Sequence, residues 1–314
     1  DVRPQGFLGR AFARGVSAES DLPPDPRDWS ADDQIVGLVR HGADLPGDLV
    51  LGSPRGAGAD VEAPSATSEK SYPSLARSIM IGEAPGSSAG GEQPKFTTAI
   101  ESRSGGRRHV LVKFANGDSD AGRRWRDLLA AEELALETLR EAGVEAANAR
   151  IVDVEGWRFL EVERFDRIGT KGRRSSVTLS QVDAQFAGVG AGWHRAVDRL
   201  AGEGVVSASS ARVAARAEAF GAAIVNSDRH FGNLAFQFEG NLPANIAPIY
   251  DMLPMAFAPG SLGPRPYVRH SIVFARDLDQ DAVEWARAAA RRFWSRLSRD
   301  VRVSREFRAV ASTM

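Results

Sequence analysis

The sequence predicts an α+β fold in which a β-rich first part gives way to a helical second part. Three observations carry this. Two short runs, 96–100 and 109–114, flank a polar turn at 102–106 and read as a β-hairpin. A long segment, 123–142, holds Leu128, Leu129, Leu136 and Leu139 on one stripe and ends at Gly143, as a helix would. Downstream, helical spacing dominates the segments near 179–200, 209–225 and 281–299, the last with Trp285, Ala289, Phe293 and Leu297 on one face.

Taken in order, residues 1–52 read as a small unit. Residues 6–10, Gly-Phe-Leu-Gly-Arg, suggest a turn with an apolar wedge, and 49–51 a strand. Between them Ser30 caps a short helix to about Arg40, with Asp32 and Asp33 in its first turn, where the helix dipole favours anions. Residues 53–74 are rich in Gly, Ala, Pro and Ser and read as a linker. The chain thus divides into 1–78, an accessory unit with its linker; 79–166, a β-rich unit; and 167–314, a helical unit.

With 314 residues, 43% hydrophobic and 26% charged, the chain suits a soluble protein of one large or two modest domains. Forty basic against forty-one acidic side chains leave a net charge of -1, so whole-chain charge calls for neither nucleic acid nor an anionic membrane. The absence of cysteine excludes disulfides and thiol chemistry and is compatible with a cytoplasmic location. No apolar run approaches the roughly 20 residues needed to span a bilayer. Asp1 stands first and no signal peptide is visible, which leaves room for residues upstream.

Candidate chemistry concentrates in residues 226–233, Asn-Ser-Asp-Arg-His-Phe-Gly-Asn. An amphipathic segment (Val213, Ala217, Phe220, Ile224) runs into it and an apolar run, 234–238, follows, so the pattern is helix, polar loop, strand. Asp228 and Asn233 lie five apart, the interval that a kinase catalytic loop uses between a base and a magnesium ligand. Asp251 ends a short apolar run, where a second oxygen ligand for magnesium would belong. In the second hairpin run Val110, Val112 and Phe114 share one face while Leu111 and Lys113 share the other. Glu132 lies within the leucine stripe, with Glu133 nearer its edge, so Lys113 and Glu132 are candidate partners.

Each feature also has an ordinary reading. Lys113 alone reads first as a strand-edge lysine with a solvated head. Glu132 serves equally as a surface charge if the stripe is rotated, Gly90-Gly91 as a plain turn, His230 as a structural hydrogen-bonder, and the arginines of 287–299 as a solvated helix face. His194 and His270 have no ligand-type partner in sequence and are left unassigned. The ordinary readings fail jointly, because six features occur in the order a phosphoryl-transfer enzyme requires.

The ordered set of a Ser/Gly loop (87–95), Lys113, Glu132, Glu163-Arg164-Phe165-Asp166-Arg167, the 226–233 loop and Tyr250-Asp251 resembles the HipA family of bacterial serine/threonine kinases, toxins of HipBA-type and HipBST-type toxin-antitoxin systems. The resemblance covers residues 87–251 and implies a two-lobed, protein-kinase-like (HipA-like) fold with an all-helical C-terminal lobe. It implies ATP and magnesium as cofactors: Asp228 as base, Asn233 and Asp251 as metal ligands, Lys113 on the phosphates with Glu132 as its partner, and His230 near the phosphates. Glu163 and Phe165 match the hinge that holds adenine. Ser88, Gly90, Gly91 and Gln93 match the phosphate loop, in which Ser88, or its neighbour Ser87, is the site of autophosphorylation. Glu92 departs from the family loop, where a small or apolar residue is usual.

The implied partners are a protein substrate of the aminoacyl-tRNA synthetase class and a helix-turn-helix antitoxin, with nucleic acid met only through that antitoxin and no membrane. Three rivals remain at this point: a small-molecule kinase of the same fold, a pseudokinase that only binds, and a corepressor subunit gripping a DNA-binding antitoxin.

Overall fold

A four-stranded antiparallel sheet decides where Lys113 goes. In the computed structural model, which describes residues 6–41, 44–51, 66–80, 93–101, 106–260 and 263–314, β1 (Lys95–Glu101) and β2 (Arg107–Asn116) form the expected hairpin. β3 (Ala149–Val154) and β4 (Trp157–Glu163) complete the sheet in the order β1-β2-β4-β3, with Lys113 opposite Lys95 and Leu160. Because successive side chains alternate between faces, β2 presents two different surfaces. Val110, Val112 and Phe114 join Phe96 and Phe159 in one apolar cluster, while Ala115 joins the core built around the long helix.

Helices cover both faces. α1 (Gly6–Ser17), α2 (Ala31–His41) and α3 (Tyr72–Met80) precede the sheet in sequence. Phe7 of α1 and Tyr72 of α3 pack into the Phe114 cluster, and the Tyr72 hydroxyl donates to buried Glu161 at 2.8 Å. On the other face lies α4 (Asp120–Glu141), capped by Ser119, whose hydroxyl accepts from Gly122 N. Its four predicted leucines are fully buried, worth about 1.5–3 kcal/mol each in apolar burial. Glu132 is equally buried, and it needs a cation there.

The rest of the chain is larger and mostly helical. It runs β5 (Arg167–Ile168), β6 (Gly172–Arg173), β7 (Ser175–Thr178), α5 (Leu179–Val182), α6 (Trp193–Gly202), α7 (Ala208–Ala223), β8 (Ala235–Phe238), β9 (Asn245–Ile246), α8 (Gln280–Leu297) and α9 (Arg305–Ala311). α7 packs between α6 and α8. Among the described residues no helix is long and apolar enough to cross a membrane.

Several expectations are corrected. Residues 6–10 begin a helix, not a turn: Phe7 buries in the Phe114 cluster while Ala13 and Val16, three apart, bury in a second one with Trp29, which offsets the roughly 1 kcal/mol that each helical glycine costs. Residues 49–51 form no strand, and Leu49 and Val50 stay exposed without a neighbouring strand to pair with. The helical reading of 179–200 breaks at Gly188, Gly190 and Gly192, all at positive φ, where the Asp183 carboxylate accepts from Val189 N and Gly190 N. Nor is the C-terminal lobe all helical: β7, β8 and β9 form a small antiparallel sheet. Its strands are too short for a period of two to register, and its pairing joins residues some sixty positions apart, which local spacing does not encode. By contrast, Ser30 caps α2 as expected, with Ser30 and Asp33 bonding each other reciprocally. The helix-loop-strand reading of 213–238 also matches α7 and β8.

Candidate active site

Lys113 is nine-tenths buried, and its ammonium ends between two carboxylates from distant parts of the chain. It donates to Glu132 Oε1 at 2.6 Å and Oε2 at 2.8 Å, and also to Asp251 Oδ1. Burial alone would push the Asp251 carboxyl up. Lys113, with Lys95 behind it, outweighs this and holds the group at about 2. Glu132 is shifted the other way, since burial and the nearby Asp251 charge exceed the pull of Lys113. Burial likewise opposes the charge on Lys113, but its two acid partners raise the ammonium above its ordinary value. The solvated strand-edge reading of Lys113 and the rotated-stripe reading of Glu132 are both overturned.

The polar loop is held by its own first residue. After α7, Val225 and later Asp251 take left-handed conformations, φ 54° and 50°, uncommon for non-glycine residues and costly for a β-branched one. Main-chain bonds hold this geometry: Asn226 N donates to Gly221 O at 2.8 Å, and Ala256 N to Val225 O at 3.1 Å. Asn226 is buried; its side-chain oxygen accepts from Asp228 N at 3.0 Å and its amide donates to Asp251 O at 3.5 Å. One side chain thereby ties the Asp228 loop to the Asp251 turn. Asn233 Nδ2 donates to Asp228 O at 2.9 Å, which leaves its amide oxygen without a described donor.

These groups meet at one cavity of about 570 Å³, lined by Lys113, Glu132, Asp228, His230, Asn233 and Asp251. Asp228 is exposed on its wall. Gln93 and Lys95 line it from the sheet side; the Gln93 amide donates to Phe114 O, and its buried Oε1 has no described partner. Ser87, Ser88, Gly90 and Gly91 lie outside the described residues, as does Glu92. His230 serves the loop itself: Nδ1 accepts from Gly232 N at 3.0 Å, and the carbonyl accepts from Trp193 Nε1 at 3.1 Å.

Glu163 and Phe165 do not line this cavity. Glu163 faces Arg108 at 3.6 Å, and its main-chain N donates to Asn148 O. Phe165 packs its ring on Tyr250, 5.6 Å between centroids, one residue from Asp251. The neighbours of Phe165 do other work. Arg164 and Arg167 each pair with Asp166 and with Asp44, and Gly47 N donates to Asp166 at 2.8 Å, fastening residues 44–47 to this segment.

Sequence reasoning missed Asn226, Trp193 and the first turn of α1, where Gly6, Phe7 and Leu8 also line the cavity. Asn226 stood inside the quoted loop, and its place directly after the helix was the available signal. No local signal marks Phe7 or Trp193. His194, left unassigned, sits between Glu218 (Nδ1 to Oε2, 2.6 Å) and Asp277 (Nε2 to Oδ2, 3.2 Å), partners that spacing did not reveal.

Comparison with known proteins agrees with this architecture. Residues 87–314 match the HipA-like C-terminal domain, and residues 1–57 match the middle domain of YjjJ-like toxins. The chain is 37% identical over 321 aligned positions to Toxin YjjJ of Escherichia coli (strain K12), covering all of this chain and 72% of that protein. Among solved structures, the Shewanella oneidensis MR-1 HipA, in complex with HipB and its operator DNA, matches with a TM-score of 0.58 at 14% identity, over 97% of this chain and 82% of that one. The Helicobacter pylori proinflammatory kinase CtkA matches with a TM-score of 0.46 at 13% identity, over 74% and 89%. With the HipA-like domain matched over residues 87–314 and a toxin relative 37% identical along the whole chain, the chain belongs to the HipA-like family.

Proposed function

We propose that the chain is an ATP- and magnesium-dependent serine/threonine protein kinase acting as a growth-inhibiting toxin. The observation that carries this reading is the convergence, at one cavity, of the Lys113–Glu132 pair with Asp228, Asn233 and Asp251. The donor set suits the ion: Asp251 is held well below the usual carboxylate range and the Asn233 amide oxygen is available, so these two would hold magnesium together with phosphate oxygens. Bound there, magnesium would neutralise charge developing on the transferred phosphoryl group.

The protein's own part is placement and proton handling. Lys113, fixed by Glu132, would hold the phosphates from the sheet side. Asp228, exposed on the wall and set in place by Asn226 and Asn233, would receive the proton of the acceptor hydroxyl. Lys113 spans Glu132 and Asp251, so a bound nucleotide would compete with Asp251 for it. Ser88 or Ser87 is proposed as the autophosphorylation site, and a protein of the aminoacyl-tRNA synthetase class as the target. The Shewanella neighbour was solved with HipB and operator DNA, which favours a DNA-binding antitoxin as a partner here too.

The test is transfer of radiolabelled phosphate from ATP to proteins of a cell lysate, followed by identification of the labelled band. Asp228→Ala should remain folded, retain ATP and lose transfer and toxicity. Full transfer by that variant would overturn the assignment of the base.

A further inference from the structure

The segment after the cavity is a strip with no strand partner among the described residues. Among the described residues its main chain, 264–274, belongs to no sheet and makes no backbone-to-backbone hydrogen bond. Pro264 and Pro266 carry no N–H and Arg265 O is taken by Arg124, so the row of unbonded main-chain N–H and C=O groups runs from Tyr267 to Phe274, a template for another chain. The strip is nevertheless firmly held. Tyr267 stacks on Phe307 at 4.6 Å and donates to Asp127 at 2.7 Å; the Arg124 guanidinium covers its ring at 3.4 Å and donates to Arg265 O at 2.6 Å. His270 packs edge-on against Phe257 at 4.7 Å. Phe257 ends the single turn that Met255 begins, and Met255 lines the cavity, so one turn joins the cavity to the strip.

With Tyr267 and His270 turned inward, the residues between and beside them face out. Val268, Ile272 and Val273 are 54%, 38% and 75% exposed, and Arg265 and Arg269 are exposed with no ion pair among the described residues. The acids just downstream are engaged: Asp277 with Arg195 and His194, and Asp279 at the start of α8. We propose that this strip docks an extended acidic segment of a protein, aligned as an added strand. Its backbone would take the free main-chain groups, its carboxylates Arg265 and Arg269, and its apolar residues the bare aliphatic side chains. Resting on the kinase reading, the docked segment is the one that carries the acceptor hydroxyl. Nucleic acid is the poorer fit, because single strands favour outward aromatic platforms and both aromatic anchors here face inward.

The test uses the full chain and a fluorescein-labelled peptide of Asp, Glu and Val around one Ser, with a Lys-substituted peptide and a DNA oligonucleotide as comparators. Anisotropy should show the acidic peptide binding, the other two not, and Arg265→Glu/Arg269→Glu weakening binding by roughly tenfold. Arg212→Glu, the same charge reversal at an exposed position of α7, should leave binding unchanged, and Arg265→Gln/Arg269→Gln guards against a folding defect. Equal binding by wild type and both double variants, or tighter binding of the DNA, would overturn the proposal. Transfer of phosphate to the peptide is read separately. Binding that depends on the strip without transfer removes the kinase reading and leaves the docking surface, whereas transfer with KM unchanged in the double variants does the reverse.

Discussion

Lys113 and Asp251, 138 positions apart in the chain, are joined by an ion pair at the junction of the sheet and the helical lobe. The same ammonium holds Glu132 of α4, so three elements close on one cation.

Replacing Lys113 with Met should therefore cost more than a lost contact. Two carboxylates would be left buried without their cation, a loss of about 3–5 kcal/mol. Glu132→Gln keeps a hydrogen-bonding group of the same shape and should cost less. Thermal melting of both variants checks the order, and Lys113→Met melting like wild type would refute it.

Acid should weaken the protein partly through Asp251. Its carboxyl is held at about 2 when folded, against an ordinary 3.8, so the stability it contributes is fully present above 3.8 and is lost as pH falls toward 2. Asp251→Asn should flatten that part of the stability-pH curve, measured by urea unfolding at successive pH values.

His194 should work in the opposite direction. Its hydrogen bond to Glu218, helped by Asp277 and opposed by burial, raises its value above the ordinary 6.5. The stability it contributes is full below 6.5 and lost as pH rises through the raised value. His194→Gln should remove this loss, seen as a melting temperature less sensitive to alkaline pH.

The clamp at residues 164–167 predicts a ranking. Asp166 is buried among Arg164, Arg167 and Gly47 N, so Asp166→Ala should cost about 3–5 kcal/mol. Asp44 is about half exposed, and its loss should cost no more than about 1 kcal/mol. Urea midpoints decide it.

Asn233→Ala would remove the proposed oxygen ligand and the donor to Asp228 O together. The magnesium concentration for half-maximal transfer should rise by roughly tenfold, the order expected when a ligand or its orienting partner is lost. An unchanged magnesium requirement would exclude Asn233 from the ion.

What could be read without coordinates was what spacing encodes. The hairpin, the leucine stripe of α4, the α7-loop-β8 order and the cap of α2 all follow from periods of two or 3.6 and from residue chemistry a few positions away. So did the pairing of Lys113 with Glu132, because a cation on an inward strand face and an acid in an apolar helix stripe each need a partner. Tertiary structure alone decided the rest. Asn226 bridging two loops, Phe7 and Leu8 forming a cavity wall, His194 between two acids and the three-stranded sheet of β7, β8 and β9 all join residues far apart in the chain. Such contacts depend on how helices and sheet pack, and local side-chain order carries no record of which distant surface a residue will meet.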